Sequence, residues 1–500
     1  MSVAPSAPDR LTGVLERWEP VIGIEVHSQL RTASKMFCSC STAYDGAAPN
    51  SHTCPVCLGL PGALPVINRR AVELVLATGA ALEARTPDRT RWDRKNYFYP
   101  DLPKGYQISQ YDLPLAAAGV LTIDTSDGPF TIRITRAHLE EDTAKLVHAP
   151  GPGGQRISLV DFNRSGVPLM EIVTEPDVRT AEQARRYAEE LQLLLRAIGA
   201  SDADMERGQM RVEANVSLRR RGTEAFGTRV EVKNMNSFRS VERAVNFEIE
   251  RQAATLDAGE PLVQETRGWS DERGETYRMR VKETSDDYRY FPEPDLPPLR
   301  VEAAWLEEIR AALPELPMAR RARYQQELGL GAYEAAVLVS DPDATKLFES
   351  TLAAGAPIEA KAVANWVIGE YLRLRNAAAE ALPEVDPGEL AVLIGLVGEG
   401  SISRANAKEV FEAHASGGDS VASIVKARGL RQISDSSALE SVVDAVIAAN
   451  PAAVADVRAG KGQAIGFLVG AVMKETRGQA NAAAVQAALR ARLVVEEGGG

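Results

Sequence analysis

At Leu296-Pro297-Pro298 the chain changes character, and that break limits the architectures open to it. Before it, from about Val21 to Arg300, short β-branched runs alternate with helical stretches in a sequence dense in Gly, Pro, Asn, Asp and aromatic residues. Beyond it strand signals fade and Ala-, Leu- and Glu-rich helical periodicity takes over. The expected fold class is therefore α+β, a sheet with helices first and all-α parts after. A second shift near Gly400 to Ala405 opens a compact helical segment with Gly417-Gly418, Gly429, Gly460-Lys461-Gly462 and Gly478 as helix stops. The expected divisions are an extension over 1–19, a strand-containing domain over 20–297, a helical domain over 298–404, a tail over 405–495 and a frayed end at 496–500.

With 500 residues, 45% hydrophobic and 25% charged, the chain has the length of about three domains and the composition of a globular protein. It has no run of 18 uncharged apolar residues and no secretory leader pattern, which predicts a cytoplasmic protein without a membrane partner. The formal net charge of −12 means that any nucleic-acid partner must be held by a local basic surface.

Carboxylates and imidazoles recur in separate strand-like stretches. Spacing by two places Glu25 and His27 on one face of Val21-Ile-Gly-Ile-Glu-Val-His27. The run Phe130 to Arg136 leads into His138, Glu140, Glu141 and Asp142, and Val167 to Met170 leads into Glu171. Packed carboxylates resist ionisation unless a cation compensates them, so Mg²⁺ is the natural partner. A solvated helix start at 140–142 is the plainer alternative. A helix is expected over 180–198 against a sheet, with strands over 210–218 and 228–233. On these, Arg211, Glu213, Asn215, Glu231 and Lys233 line one face, suited to phosphate and metal or simply to cross-strand ion pairs.

Cys38, Cys40, Cys54 and Cys57 are too few and too clustered for a secreted disulfide framework. Two thiolate pairs joined by a loop can close a structural zinc site, with His52 a competing ligand. Asp93 to Asp101 and Tyr106 to Gln110 mix cations, amides and aromatics in a way that suits a charged ligand better than a core. Ser285 to Asp295 repeats that composition, although its aromatics also suit a cap over the core. Gly460-Lys461-Gly462 fails as a phosphate loop, because Ala455 stands where the first glycine belongs and Gly462 replaces the metal-binding Ser or Thr.

Val21 to His27, Asp93 to Asp101, Tyr106 to Gln110, Glu140 to Asp142, Ser285 to Pro294 and Gly466-Phe-Leu-Val-Gly470 together resemble the GatB family, the B subunits of aspartyl/glutamyl-tRNA amidotransferases. That resemblance implies a glutamine-synthetase-like cradle domain with an antiparallel sheet and a zinc-binding insertion, then a helical domain and a small α-helical YqeY-like tail. It also implies a ligase that uses ATP and Mg²⁺ to phosphorylate the side-chain carboxylate of Glu-tRNA(Gln) or Asp-tRNA(Asn). Ammonia from the amidase GatA would then displace the phosphate, within a heterotrimer completed by the small protein GatC. By the match, Glu25, His27, Glu141 and Glu171 are assigned to metal, with Glu140 and Glu213 as lesser candidates. Glu141, His27 and Lys95 are the expected catalytic residues, and Lys95, Asn215 and Lys233 the expected nucleotide or substrate contacts. The tail would grip tRNA through Lys426, Arg428, Arg431, Lys461, Lys474 and Arg477. A non-catalytic, zinc-containing tRNA adaptor is the rival reading. A self-contained glutaminase finds no nucleophile outside the cysteines.

Overall fold

The computed structural model describes residues 7–281, 288–355, 357–378, 385–431, 436–459, 463–476, 480 and 482–493. The chain forms two compact units, Met1–Leu316 and Pro317–Gly500.

The first unit is built on an eight-stranded sheet. Its strands are β1 (Trp18–Gln29), β2 (Ala116–Thr125), β3 (Gly128–Glu141), β4 (Pro168–Thr174), β5 (Met210–Arg220), β6 (Val230–Met235), β7 (Glu265–Ser270) and β8 (Glu275–Val281). They lie in the order β8-β7-β6-β5-β1-β4-β3-β2. Neighbours are antiparallel except β6 and β7, which run parallel, so the sheet is mixed rather than wholly antiparallel as expected. The first strand made is thus an interior strand, bonded on one side to β5 and on the other to β4.

The two faces of the sheet differ completely. Ile22, Ile24 and Val26 of β1, Met170 and Ile172 of β4, and Val212, Ala214 and Val216 of β5 are all buried on one face. Helices Arg69–Ala81, Ala181–Ala197 and Phe238–Asp257 pack against the sheet. The second of these matches the expected helix. Thr180 and Gln183 close its first turn in a reciprocal capping box, and Tyr187, Leu191, Leu194 and Leu195 form its buried stripe. Since side chains alternate along a strand, Glu25, His27, Glu171, Arg211, Glu213 and Asn215 fall on the opposite face.

Three register shifts interrupt the pairing among the described strands, at Ile134/Arg136, Val212/Ala214 and Thr266/Arg267, and the first two shape the polar face. Between Ile134 and Arg136 the pairing of β3 with β4 slips by one residue, leaving Thr135 over. Ile132 and Ile134 are buried in the core before the bulge, and Ala137 and Leu139 after it. The slip exchanges the faces, so Arg136, His138 and Glu140 join the polar side. A second slip lies between Val212 and Ala214, opposite Lys233 and Asn234 of β6. Asn234 has φ 64°, a left-handed conformation that Asn tolerates better than most residues.

Beside the large sheet stands a small one of Phe291–Pro292, Asp93–Asn96 and Tyr106–Ser109, in that order. Residues after Pro298 stay with the first unit, where helix Ala303–Ala311 packs on Arg69–Ala81.

The described part of the second unit is helical from Pro317–Gln326 to Ala482–Leu493. Tyr324 packs edge-on against Phe348, and Trp366 against Phe411. Leu439, Val443, Leu468, Val472, Val485 and Leu489 form a core of their own near its end. Gly418 and Gly429 end their helices in left-handed caps, as their sequence positions suggest. Gly460, Lys461, Gly462, Arg477 and Gly478, like Ser285 to Asp287 and the last residues, lie outside the described residues. No described helix is long and apolar enough to cross a membrane.

Candidate functional site

Sheet register brings the predicted residues together. His27 pairs with Glu171, Glu171 pairs on its other side with His138, and Glu25 pairs with Glu213. Three groups of ligand atoms result, each within 4.8 Å of one another: Glu25, His27 and Glu171; His138, Glu140 and Glu171; Glu25, Glu213 and Glu231. Glu171 links the first two groups and Glu25 links the first to the third. His27 Nε2 lies 3.4 Å from Glu171, 3.8 Å from Glu25 and 3.8 Å from Glu140.

Glu140 is the centre of a second set of contacts. Ser109 Oγ donates to it at 2.8 Å and Gln107 Nε2 at 3.2 Å, while Lys95 Nζ stands 3.7 Å away. Only 2% of its side chain is exposed. Burial is the strongest single influence and favours its neutral form, but the Lys95 charge and the His138 contact together overcome it and hold its pKa at about 2. Glu171 is also held well below the carboxylate range, its burial overcome by the two histidines. Glu25 behaves oppositely: burial and the Glu171 charge raise it to about 7. His27 is disfavoured as a cation by burial, yet the Glu171 contact and the surrounding carboxylates lift it to about 9. Lys233 lies 2.6 Å from Glu213 and 3.7 Å from Glu231. Asn215 Oδ1 and His138 Nδ1 are buried without a hydrogen-bond partner among the described residues.

Glu141, grouped with Glu25, His27 and Glu171 on sequence, is not brought to them. It belongs to the other face of β3, where Lys104 pairs with it and the Ile108 N–H donates at 3.0 Å. There it lines a cavity of about 240 Å³ together with Cys57, Lys104 and Gly166. Glu140, ranked lower on sequence, takes the place beside the histidines. Arg136, not singled out on sequence, approaches Glu171 to 3.6 Å. Asp142 is a structural anion, bound by Gln29 at 2.9 Å and by Arg211 at 3.1 Å.

The four cysteines are free of disulfides and converge within the same 4.8 Å limit, so they could bind a metal. His52 is not part of the group; its ring meets the Ser41 carbonyl at 3.3 Å. Beside them the buried Lys35 ammonium donates to the carbonyls of His52 and Phe162 and lies 3.6 Å from Cys57 Sγ. Contact with the Cys38 thiol, helped by the Cys54 N–H and the Lys35 charge, depresses the Cys57 thiol, and the same contact raises Cys38.

The donor sets suit different ions. Carboxylate oxygens with imidazole nitrogens, next to unpartnered polar atoms, fit a hard divalent cation such as Mg²⁺. Four sulfurs fit a softer, tetrahedral ion. Between Lys95 on one side and Lys233 on the other, the polar face offers positive charge to anionic groups over a bed of metal donors.

Comparison with known proteins agrees over the length of the chain. The family described as the GatB/GatE catalytic domain matches residues 20–307, and that described as the GatB domain matches 346–493. The B subunit of the aspartyl/glutamyl-tRNA(Asn/Gln) amidotransferase of Moorella thermoacetica is 54% identical over 478 residues, covering 95% of this chain and 100% of that protein. Its namesake from Anaeromyxobacter sp. (strain K) is 52% identical over 480 residues, covering 95% and 99%. That of Thermomicrobium roseum is 51% identical, covering 95% and 99%.

Proposed function

The chain belongs to the GatB family, and from that premise we propose that it acts as the B subunit of an aspartyl/glutamyl-tRNA(Asn/Gln) amidotransferase. In this reading the side-chain carboxylate of Glu-tRNA(Gln) or Asp-tRNA(Asn) attacks the terminal phosphorus of ATP, and ADP leaves. Ammonia then attacks the acyl carbon of the resulting acyl-phosphate, inorganic phosphate departs, and a proton is lost to give Gln-tRNA(Gln) or Asn-tRNA(Asn). The reaction makes a carbon–nitrogen bond, so the enzyme is a ligase.

The observation that carries this reading is the convergence of Glu25, His27, Glu140 and Glu171 between two lysines on one sheet face. A carboxylate is a poor acyl donor, and the protein's work is to position it and neutralise charge. Glu25, His27 and Glu171, and beside them His138, Glu140 and Glu171, would each offer a donor set for Mg²⁺, which would supply charge compensation for the phosphates of ATP. Lys95 and Lys233 hold anionic oxygens from either side, and Asn215 Oδ1 is free to accept a hydrogen bond. Glu141, engaged with Lys104, is left out of the metal set.

The four cysteines hold structural zinc in this proposal, since a full shell leaves no position for substrate. The partners are the amidase GatA, which releases ammonia from glutamine, the small protein GatC, and the misacylated tRNA, held by cations of a tail over 405–495 that follows a helical domain. A cytoplasmic location goes with a role in translation. The test supplies misacylated tRNA, ATP and ammonium chloride to the reconstituted complex, with and without Mg²⁺. Product that needs ATP and Mg²⁺ and is lost with His27→Ala supports the assignment; unchanged product with that variant would make the chain an adaptor.

A further inference from the structure

Five tyrosines from two distant segments form a continuous row. Ring centroids of Tyr99 and Tyr97, Tyr97 and Tyr288, and Tyr288 and Tyr290 are each 6.1 Å apart and meet edge-on, and Tyr290 stacks on Tyr111 at 4.3 Å and 15°. None belongs to the apolar core of the unit or packs against it, although Tyr106, between them in sequence, does. Among the described residues, the row thus stands apart from that apolar cluster. The ends of the row are open, with Tyr99 53% and Tyr111 49% exposed.

The row is held rigidly. Phe291 pairs with Arg94 and Pro292 with Asp93, and Arg94 grips Glu293 through two bonds of 2.7 Å. Asn96 Nδ2 donates to the carbonyls of Arg289 at 2.8 Å and Tyr288 at 3.2 Å. The middle of the row adjoins the proposed reaction site: Lys95 Nζ lies 5.3 Å from the Tyr288 ring centroid and 3.7 Å from Glu140. Preorganised rings that cover no core, with a cation at their centre, match a surface on which a nucleobase stacks while its attached anionic group meets the lysine.

We propose that Tyr99, Tyr97, Tyr288, Tyr290 and Tyr111 form a stacking platform for an adenine base whose reacting group lies at Lys95. This rests on the proposed reaction, which brings adenine in two forms: the base of ATP and the terminal adenosine of tRNA. The platform takes one of these.

The experiment uses the reconstituted complex with ammonium chloride as nitrogen donor. KM for ATP and for misacylated tRNA are measured separately for the unaltered chain and for Tyr290→Ala, Tyr290→Phe and the half-exposed Tyr111→Ala. Loss of stacking predicts that the alanine variants raise one KM by about 5- to 150-fold, and that Tyr290→Phe keeps it within about twofold. A rise confined to ATP identifies the nucleotide's base, and a rise confined to tRNA identifies the 3′ end. Folded alanine variants with both KM values unchanged would overturn the platform, as would equal losses for Phe and Ala at 290. If the unaltered complex makes no product, it is the proposed reaction that fails instead.

Discussion

At the scale of single residues, Glu140 and Glu141 are neighbours in sequence with opposite surroundings. One meets His27, His138 and Lys95, and the other meets Lys104 behind the strand. Glu140→Gln is expected to weaken Mg²⁺ binding about tenfold or more, read by calorimetric titration. Glu141→Gln should leave that affinity within about twofold and instead lower stability by about 1–3 kcal/mol in denaturant unfolding, because Lys104 loses its anion. Equal effects on metal would contradict the division. Protonation supplies a further expectation. With Glu25 raised to about 7 and His27 to about 9, both carry protons near neutral pH that a bound divalent ion displaces. Mg²⁺ binding at about pH 7 should release protons, and affinity should tighten from about pH 6 to 9. Titrations in buffers of different ionisation enthalpy count those protons, and an affinity flat across the range would sink the idea. For the metal-free chain the sign follows from the raised histidine. Its stabilisation is complete below its ordinary value of 6.5 and is lost as pH climbs through about 9, so His27→Asn should flatten that limb of the stability curve.

Among the elements, alternation along β1 and β5 was legible from the residues alone, and it correctly united Glu25 with His27 and Glu213 with Asn215 on the polar face. The exchange at β3 was not legible. Unbroken alternation from Ile132 and Ile134 would turn Glu141 to the polar side, and only the extra residue at Thr135 substitutes Glu140. Nothing local announces such a bulge, since it arises where two strands meet a third. The slip at Asn234 left a faint trace, an Asn in the motif Lys233-Asn234-Met235, but its meaning needs the backbone conformation of the folded chain. That conformation makes a test possible. Asn234→Gly should hold stability within about 0.5 kcal/mol, whereas Asn234→Val should cost about 1–2 kcal/mol, measured by urea unfolding. A valine variant as stable as the parent would show that the bulge tolerates any residue. The cysteine loop gives another expectation: Cys54→Ser should remove zinc from the purified chain by elemental analysis and lower its melting temperature. Full zinc content in that variant would exclude the four-sulfur shell.

For the whole molecule, the texture break near residue 298 foretold a mixed part followed by a helical one, yet the compact first unit extends to Leu316 because helix Ala303–Ala311 packs back onto Arg69–Ala81. Helical periodicity cannot tell which neighbour a helix chooses. With a net charge of −12, the proposed binding of tRNA would depend on local cations such as Lys426, Arg428, Arg431 and Lys474, all exposed. Replacing Lys426 and Arg428 with Ala should weaken binding without altering base preference. It should also reduce the slope of log affinity against log salt by about 1 for each cation, measured by filter binding. An unchanged slope would place the grip elsewhere. The order of strands bears finally on how the chain is made. Trp18–Gln29 leaves the ribosome early, but the segments that flank it, Pro168–Thr174 and Met210–Arg220, follow much later. At about 5–20 residues per second, a nascent chain carries two bare strand edges for roughly seven to thirty seconds, and one of them for roughly ten to forty. During that interval it is an attractive client for a cotranslational chaperone.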